Sequence, residues 1–284
     1  MKSKTLYVSD LDGTLLNTKS LLSEYTTNRL NAIIKEHGAM FTIATARTPA
    51  TVSTLMRQVD SNLPYIVMTG AAMWDARTYQ YTDVRHLGRE SLAQIIDVFD
   101  RHHVNPFIYC LHDSQIVVYH ADTLSESERG FIMPRVQGPL KHLQTCTSLS
   151  SLAGETDKAV LVFSMGRYHD MEAINAELLD RGTACQPACY YDIMTPDQGI
   201  LDIYAPGTTK ALAIRRLADR TGADRVVVFG DNRNDIPMMH IADRSVAVAN
   251  AYDEVKAQAD EVSPYNNEED AVVKWIEQDL AQST

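Results

Sequence analysis

Two aspartates two residues apart, Asp10 and Asp12, stand in the run Asp10-Leu11-Asp12-Gly13-Thr14, just after the apolar stretch Leu6-Tyr7-Val8. Carboxylates at that spacing leave a strand tip and enter a turn, where Gly13 can take backbone conformations closed to other residues. One carboxylate can then attack a phosphorus atom while the other passes protons, with a divalent cation holding the phosphate. The plainer reading is a solvated Asp-Gly turn. An EF-hand loop is excluded, because its sixth and twelfth places need glycine and glutamate, and this chain has Leu15 and Leu21 there.

Three further groups follow apolar runs in the same way. Thr45-Ala46-Arg47 comes after Phe41-Thr42-Ile43-Ala44, and a hydroxyl with a backbone N–H at a helix start can hold a phosphate oxygen. Lys210 follows Pro206-Gly207-Thr208-Thr209 and offers a point charge to a phosphate or to Asp10. Gly230-Asp231-Asn232-Arg233-Asn234-Asp235 follows Val226-Val227-Val228-Phe229 and supplies the oxygen ligands that a hard cation takes. Singly, Thr45 reads as a helix cap, Lys210 as a solvated lysine, and Asp231 and Asp235 as a cap and a surface acid. Together, each at a strand end, they converge where open parallel sheets bind ligands.

The elements that must position them alternate. Strands are expected at Leu6–Ser9, Ala39–Ala44, Tyr65–Met68, Leu201–Tyr204, Val226–Phe229 and Ser245–Val248. Helices fall at Glu24–Glu36 with Ser23 as N-cap, Pro49–Val59, Thr208–Thr221, Ile236–Ile241, Asp253–Ala259 and onward from Glu268. Continuous apolar strands between helices predict a doubly wound α/β core with a parallel sheet. The middle differs. Helices at Ser91–His103, Leu124–Phe131 and Met171–Arg181 mix with a hairpin, Pro106–Leu111 and Gln115–Tyr119, and with strands at Ala159–Ser164 and Ala188–Ile193. That pattern predicts a separate α+β domain at 82–195 inserted into a core made of 1–81 and 196–284. The stretch from Gly138 to Glu155 is polar and gives no element.

The bulk numbers bound the function. The chain has 284 residues, 45% hydrophobic and 22% charged, which suits a globular protein of about two domains. A net charge of −11 argues against nucleic acid or an anionic membrane as partner. The cysteines Cys110, Cys146, Cys185 and Cys189 lack zinc-site spacing and fit a reduced cytoplasmic protein. Lys2 and Lys4 lead straight into a strand, with no signal peptide and no spanning segment. The histidines show no metal spacing, and Trp74 reads as packing at the domain junction.

D-L-D-G-T-L-L at 10–16, T-A-R at 45–47, Lys210 and G-D-N-R-N-D at 230–235 resemble the four motifs of the haloacid dehalogenase-like hydrolases. The likeness is closest to the Cof-type branch with an α/β cap of the C2B kind. Val246-Ala247-Val248-Ala249-Asn250-Ala251 and Asn266-Asn267-Glu268-Glu269-Asp270 also look like that branch. The resemblance implies a Rossmann-like catalytic core with an inserted cap, and a Mg²⁺-dependent phosphatase working through an aspartyl-phosphate. Asp10 would be the nucleophile and Asp12 the general acid and base. Thr45, Ala46, Arg47, Lys210 and Asn234 would surround the phosphate. Asp10, Asp12 (by its carbonyl), Asp231 and Asp235 would hold the metal. The acid at Asp12 points to phosphate esters, because relatives that cleave carbon–halogen bonds lack it. The expected substrate is a small phosphorylated metabolite such as a hexose phosphate, and the expected state is a monomer or weak homodimer. A phosphomutase of the phosphomannomutase kind and a non-catalytic sugar-phosphate sensor are the alternatives. The chain departs from the branch in two places: Ala46 stands where glycine is usual, and Thr69-Gly70-Ala71 where Asn-Gly-Ala is usual.

Overall fold

The structure, a computed structural model, describes residues 4–282 except 122, 137, 192–194 and 196. Two compact units emerge, Met1–Thr82 with Thr209–Thr284, and Asp83–Thr208. In the first, β1 (Thr5–Ser9) buries Leu6, Tyr7 and Val8 in succession, as a strand covered on both faces must. α1 (Glu24–His37) starts where Ser23 Oγ accepts the Thr26 N–H and ends at Gly38, with φ 63°. β2 (Met40–Ile43), α2 (Pro49–Leu55) and β3 (Tyr65–Val67) follow. β4 (Ala72–Asp75) and β5 (Gln80–Val84) make a three-stranded sheet with β3.

The second unit runs through α3 (Arg89–Arg101), the hairpin β6 (Phe107–His112) and β7 (Gln115–His120), and α4 (Glu126–Ile132). It continues with β8 (Lys141–Thr145), α5 (Leu149–Glu155), β9 (Ala159–Arg167), α6 (Tyr168–Asp180), β10 (Gln186–Tyr191) and β11 (Gln198–Tyr204). Its sheet has the order β10-β11-β9-β6-β7-β8, antiparallel apart from β7 with β8. Leu92, Ile95 and Phe99 of α3 and Ile174 of α6 pack on Ile108, Val162 and Leu201 of the sheet.

The chain then returns to the first unit with α7 (Lys210–Thr221), β12 (Arg225–Gly230), α8 (Ile236–Met239), β13 (Arg244–Ala247), α9 (Asp253–Lys256), β14 (Glu261–Val262) and α10 (Ala271–Gln282). The parallel sheet has the order β14-β13-β12-β1-β2. A parallel bridge from Ala44 to Ile66 carries it toward β3. Successive crossovers wind away in opposite directions from β1 and β12, so the switch point lies between those two strands. Ser9 is opposite Phe229, and the Asp10 N–H donates to the Phe229 carbonyl at 2.9 Å. The residues after β1 and after β12 therefore leave the sheet side by side.

Several expectations are corrected. Leu201–Tyr204, read as a core strand, lies in β11 and pairs antiparallel with β9 and β10, so the expected boundary at 195/196 cuts through the second unit's sheet. Residues 138–155 hold β8 and α5 rather than a plain loop. α2 ends at Leu55 rather than Val59. The Ala188–Ile193 strand is β10, and Ile193 lies outside the described residues, as does Lys2. Among the described residues no helix is long and apolar enough to cross a membrane.

Candidate active site

Asp10 stands directly after β1 and a wide turn, Leu11–Leu15, follows, closed by the Leu16 N–H on the Leu11 carbonyl at 2.9 Å. Gly13 sits in that turn at φ 77°, and a Cβ there would run into the Asp231 carboxylate. Both the dihedral and the close approach require glycine. Thr14 Oγ1 donates to Asp231 Oδ1 at 2.7 Å, tying the first motif to the fourth. Asp235 is held in turn by the backbone N–H groups of Asp231 and Asn232, both 3.1 Å from its Oδ2.

Lys210 joins the two ends of the cluster. Its Nζ donates to Asp10 Oδ1 at 2.5 Å and to Asp235 Oδ1 at 2.7 Å, and all three side chains are buried. Lys210 opens α7, where the helix dipole disfavours a cation. Two carboxylates outweigh that. Burial alone would lower its pKa, but Asp10 and Asp235 raise it above the ordinary lysine range. Burial pushes the Asp10 carboxyl well above the usual carboxylate range; Lys210 opposes this, and Asp235 and Asp231 add to it. Burial likewise takes Asp231 up to about 6, with the Thr14 hydrogen bond pulling the other way.

Carboxylate oxygens of Asp10, Asp231 and Asp235 lie within 4.8 Å of one another. Three acids against one lysine leave an excess of negative charge in a dry place, and all the donors are oxygens. That is the donor set a hard divalent cation takes. The Asp12 side chain stands apart from this cluster. Arg47 grips it with Nε on Oδ2 at 2.7 Å and Nη2 on Oδ1 at 2.6 Å, a bidentate pair open to solvent.

The remaining expected residues divide. Thr45 is buried; its Oγ1 accepts the Arg47 N–H at 3.1 Å, and its carbonyl accepts the Thr69 N–H at 3.0 Å. It is not at a helix start as expected. Pro49 occupies the first turn of α2 and holds Thr48, the true N-cap, extended. Ala46 is exposed in the same loop. Asn234 is also exposed, and no hydrogen bond ties it to the acids among the described residues. Asn250 does what the motif reading missed. Its Nδ2 donates to the Gly13 carbonyl at 2.8 Å, while its Oδ1 accepts the Asn267 N–H at 2.9 Å. Asn267 Nδ2 in turn reaches the Leu16 carbonyl at 2.9 Å. The asparagines fasten the Asp10 turn from outside, and both stand in the two segments whose likeness to the branch was noted without a role for either side chain.

The profile of the haloacid dehalogenase-like hydrolases matches residues 7–276. The chain belongs to that family. This hydrolase is 27% identical over 279 residues to the pyridoxal phosphate phosphatase YbhA of Escherichia coli, covering 94% of this chain and 95% of that one. It is 25% identical over 289 residues to the 5-amino-6-(5-phospho-D-ribitylamino)uracil phosphatase YitU of Bacillus subtilis, covering 98% of each. In fold it resembles a haloacid dehalogenase-like hydrolase from Bacteroides thetaiotaomicron, with TM-score 0.74, 22% identity, and 96% of this chain and 98% of that one covered. Against the Cof-type pattern, this hydrolase carries strain at Thr69. That residue has φ 57°, between Met68 at 50° and Gly70 at 94°. A β-branched side chain is a poor fit to the left-handed region, which asparagine enters more readily.

Proposed function

We propose that this hydrolase is a Mg²⁺-dependent phosphomonoesterase that cleaves a small phosphorylated metabolite, of hexose phosphate size, through a phosphoaspartate on Asp10. The observation that carries the reading is the contrast between the two motif aspartates. Asp10 is dry and bound to Lys210, whereas Asp12 is half exposed and held by Arg47. Two carboxyl groups in such unlike surroundings suit two roles. Asp10 attacks phosphorus in line with the leaving oxygen, the ester P–O bond breaks, and protonated Asp12 gives its proton to that oxygen. Asp12, now a carboxylate, takes a proton from water as the water attacks phosphorus and releases Asp10. Ester and water become alcohol and inorganic phosphate.

Lys210 supplies fixed positive charge to the phosphoryl oxygens, with Thr45, Ala46 and Arg47 beside them and Asn234 at the rim. Arg47 holds the Asp12 carboxyl on two hydrogen bonds, and substrate oxygens competing for that guanidinium would draw it away and leave Asp12 facing the leaving oxygen. Asp10, Asp231 and Asp235, with the Asp12 carbonyl, would hold Mg²⁺, which when bound offsets phosphate charge and orients the phosphoryl group.

Exhaustive chelation is expected to stop phosphate release and Mg²⁺ to restore it. Ca²⁺ should inhibit, because its looser and larger coordination spoils the in-line arrangement. Full activity after chelation would remove the metal from the reading. Gly13→Ala is expected to displace the Asp231 carboxylate and weaken Mg²⁺ activation by at least about tenfold. Titration of activity with Mg²⁺ reads this, and wild-type activation by the variant would count against the site. The substrate itself calls for a screen of phosphorylated metabolites. Hexose phosphates should stand in it beside the ring-bearing esters for which the two phosphatase relatives are named.

A further inference from the structure

We propose that the first unit carries a second ligand site, away from the acidic cluster, that takes a small aromatic carboxylate. A cavity of about 340 Å³ is lined by Met56 and Arg57 after α2, by Tyr65 of β3 and Trp74 of β4, and by Tyr79. That volume is at the lower end of the range for small-molecule sites. Tyr65 and Trp74 face each other across the antiparallel pair, so both rings stand on one face of the hairpin, with centroids 6.5 Å apart.

Both residues are fully buried, and the Trp74 Nε1–H has no hydrogen-bond partner among the described residues. A buried donor without an acceptor costs on the order of 1–3 kcal/mol. Trp74 holds such a donor at this cavity, and no acceptor for it stands among the described residues.

Charge says which kind of acceptor. Two arginines line the cavity against one aspartate, Asp60, in a chain of net charge −11. Arg77 is occupied by Asp75 at 3.2 Å, while Arg57 is exposed and has no ion-pair partner among the described residues. A guanidinium takes a carboxylate bidentately. Aromatic walls and an indole donor take a flat ring bearing an acceptor. Tyr79 lies edge-on to Trp74 at 5.7 Å and is 49% exposed, so it is the wall that a ligand would displace. The site lies apart from the proposed phosphatase chemistry and does not depend on it.

The chain has two tryptophans, so ¹⁵N labelling yields two indole N–H signals, assigned with Trp74→Phe. Benzoate or pyridine-3-carboxylate, titrated to about 10 mM, is expected to move the Trp74 signal saturably and leave Trp275 in place. Arg57→Ala should weaken that binding by about tenfold or more, the usual scale for losing a charge-assisted contact. Its unchanged Trp275 signal would report an intact fold. Benzyl alcohol, lacking the charge, and acetate, lacking the ring, should each bind more weakly than benzoate. No movement of the Trp74 signal would overturn the proposal and leave a cavity filled by water alone. Undiminished binding in Arg57→Ala would overturn it equally.

Discussion

Asp10→Asn is expected to release no phosphate above background, under conditions where Asp12→Asn still turns over slowly. An amide at position 10 cannot form the acyl phosphate, so the reaction loses its first bond-making step. At position 12 the loss should be roughly 10²- to 10⁴-fold, the usual scale for a general acid–base. Steady-state phosphate release reads both, and rapid-quench capture of labelled protein separates them. Asp12→Asn should accumulate phosphoenzyme if its poorer water activation becomes limiting, whereas Asp10→Asn should trap none. Near-normal release from Asp10→Asn would place the nucleophile elsewhere.

Lys210→Met should be the most destabilising single change at the site. It removes a cation that contacts both Asp10 and Asp235 inside a buried cluster. Breaking a buried pair by deleting one partner costs about 3–5 kcal/mol, because the other charge stays behind without its counterion. Against a total stability of roughly 5–15 kcal/mol that is a large share. At about 2–4 °C per kcal/mol, the melting temperature should fall by roughly 6–20 °C. Adding Asp10→Asn to Lys210→Met should recover part of the loss by taking one carboxylate out of the repulsion. Mg²⁺ should raise the melting temperature of Lys210→Met more than that of the parent chain. A Lys210→Met protein melting within a few degrees of wild type would show that the ammonium is not what balances these acids.

Much of the site was legible because its groups stand directly after apolar strands, and strand ends in a parallel sheet have one destination. Asp10, Asp231 and Asp235 needed only that rule to be brought together, whereas Lys210 reaches them from the start of α7, after a strand that belongs to the other sheet. Asp12 and Arg47 met each other instead, which no spacing foretold, since a pairing across 35 positions depends on how two loops fold. Asn250 and Asn267 were noticed without a role, because a side chain that binds a distant carbonyl leaves no periodic mark. β11 was misplaced for a related reason. Its run Ile200-Leu201-Asp202-Ile203-Tyr204 is largely buried in an antiparallel sheet, and an apolar strand of that length looks the same in either sheet. β8 stayed hidden because it is an edge strand with His142, Gln144 and Thr145 turned largely outward.

The parallel pairing of β1 with β12 joins strands more than 200 residues apart in the chain, on either side of the whole second unit. During synthesis at about 5–20 residues per second, β1 must wait roughly 10–40 s for that neighbour to appear. Until then an edge made of Leu6, Tyr7 and Val8 is open, and refolding of the full chain has to close the same long loop. Asp10 is made early, whereas Lys210, Asp231 and Asp235 are made late. The acids are therefore never confined together before the lysine that balances them has been added.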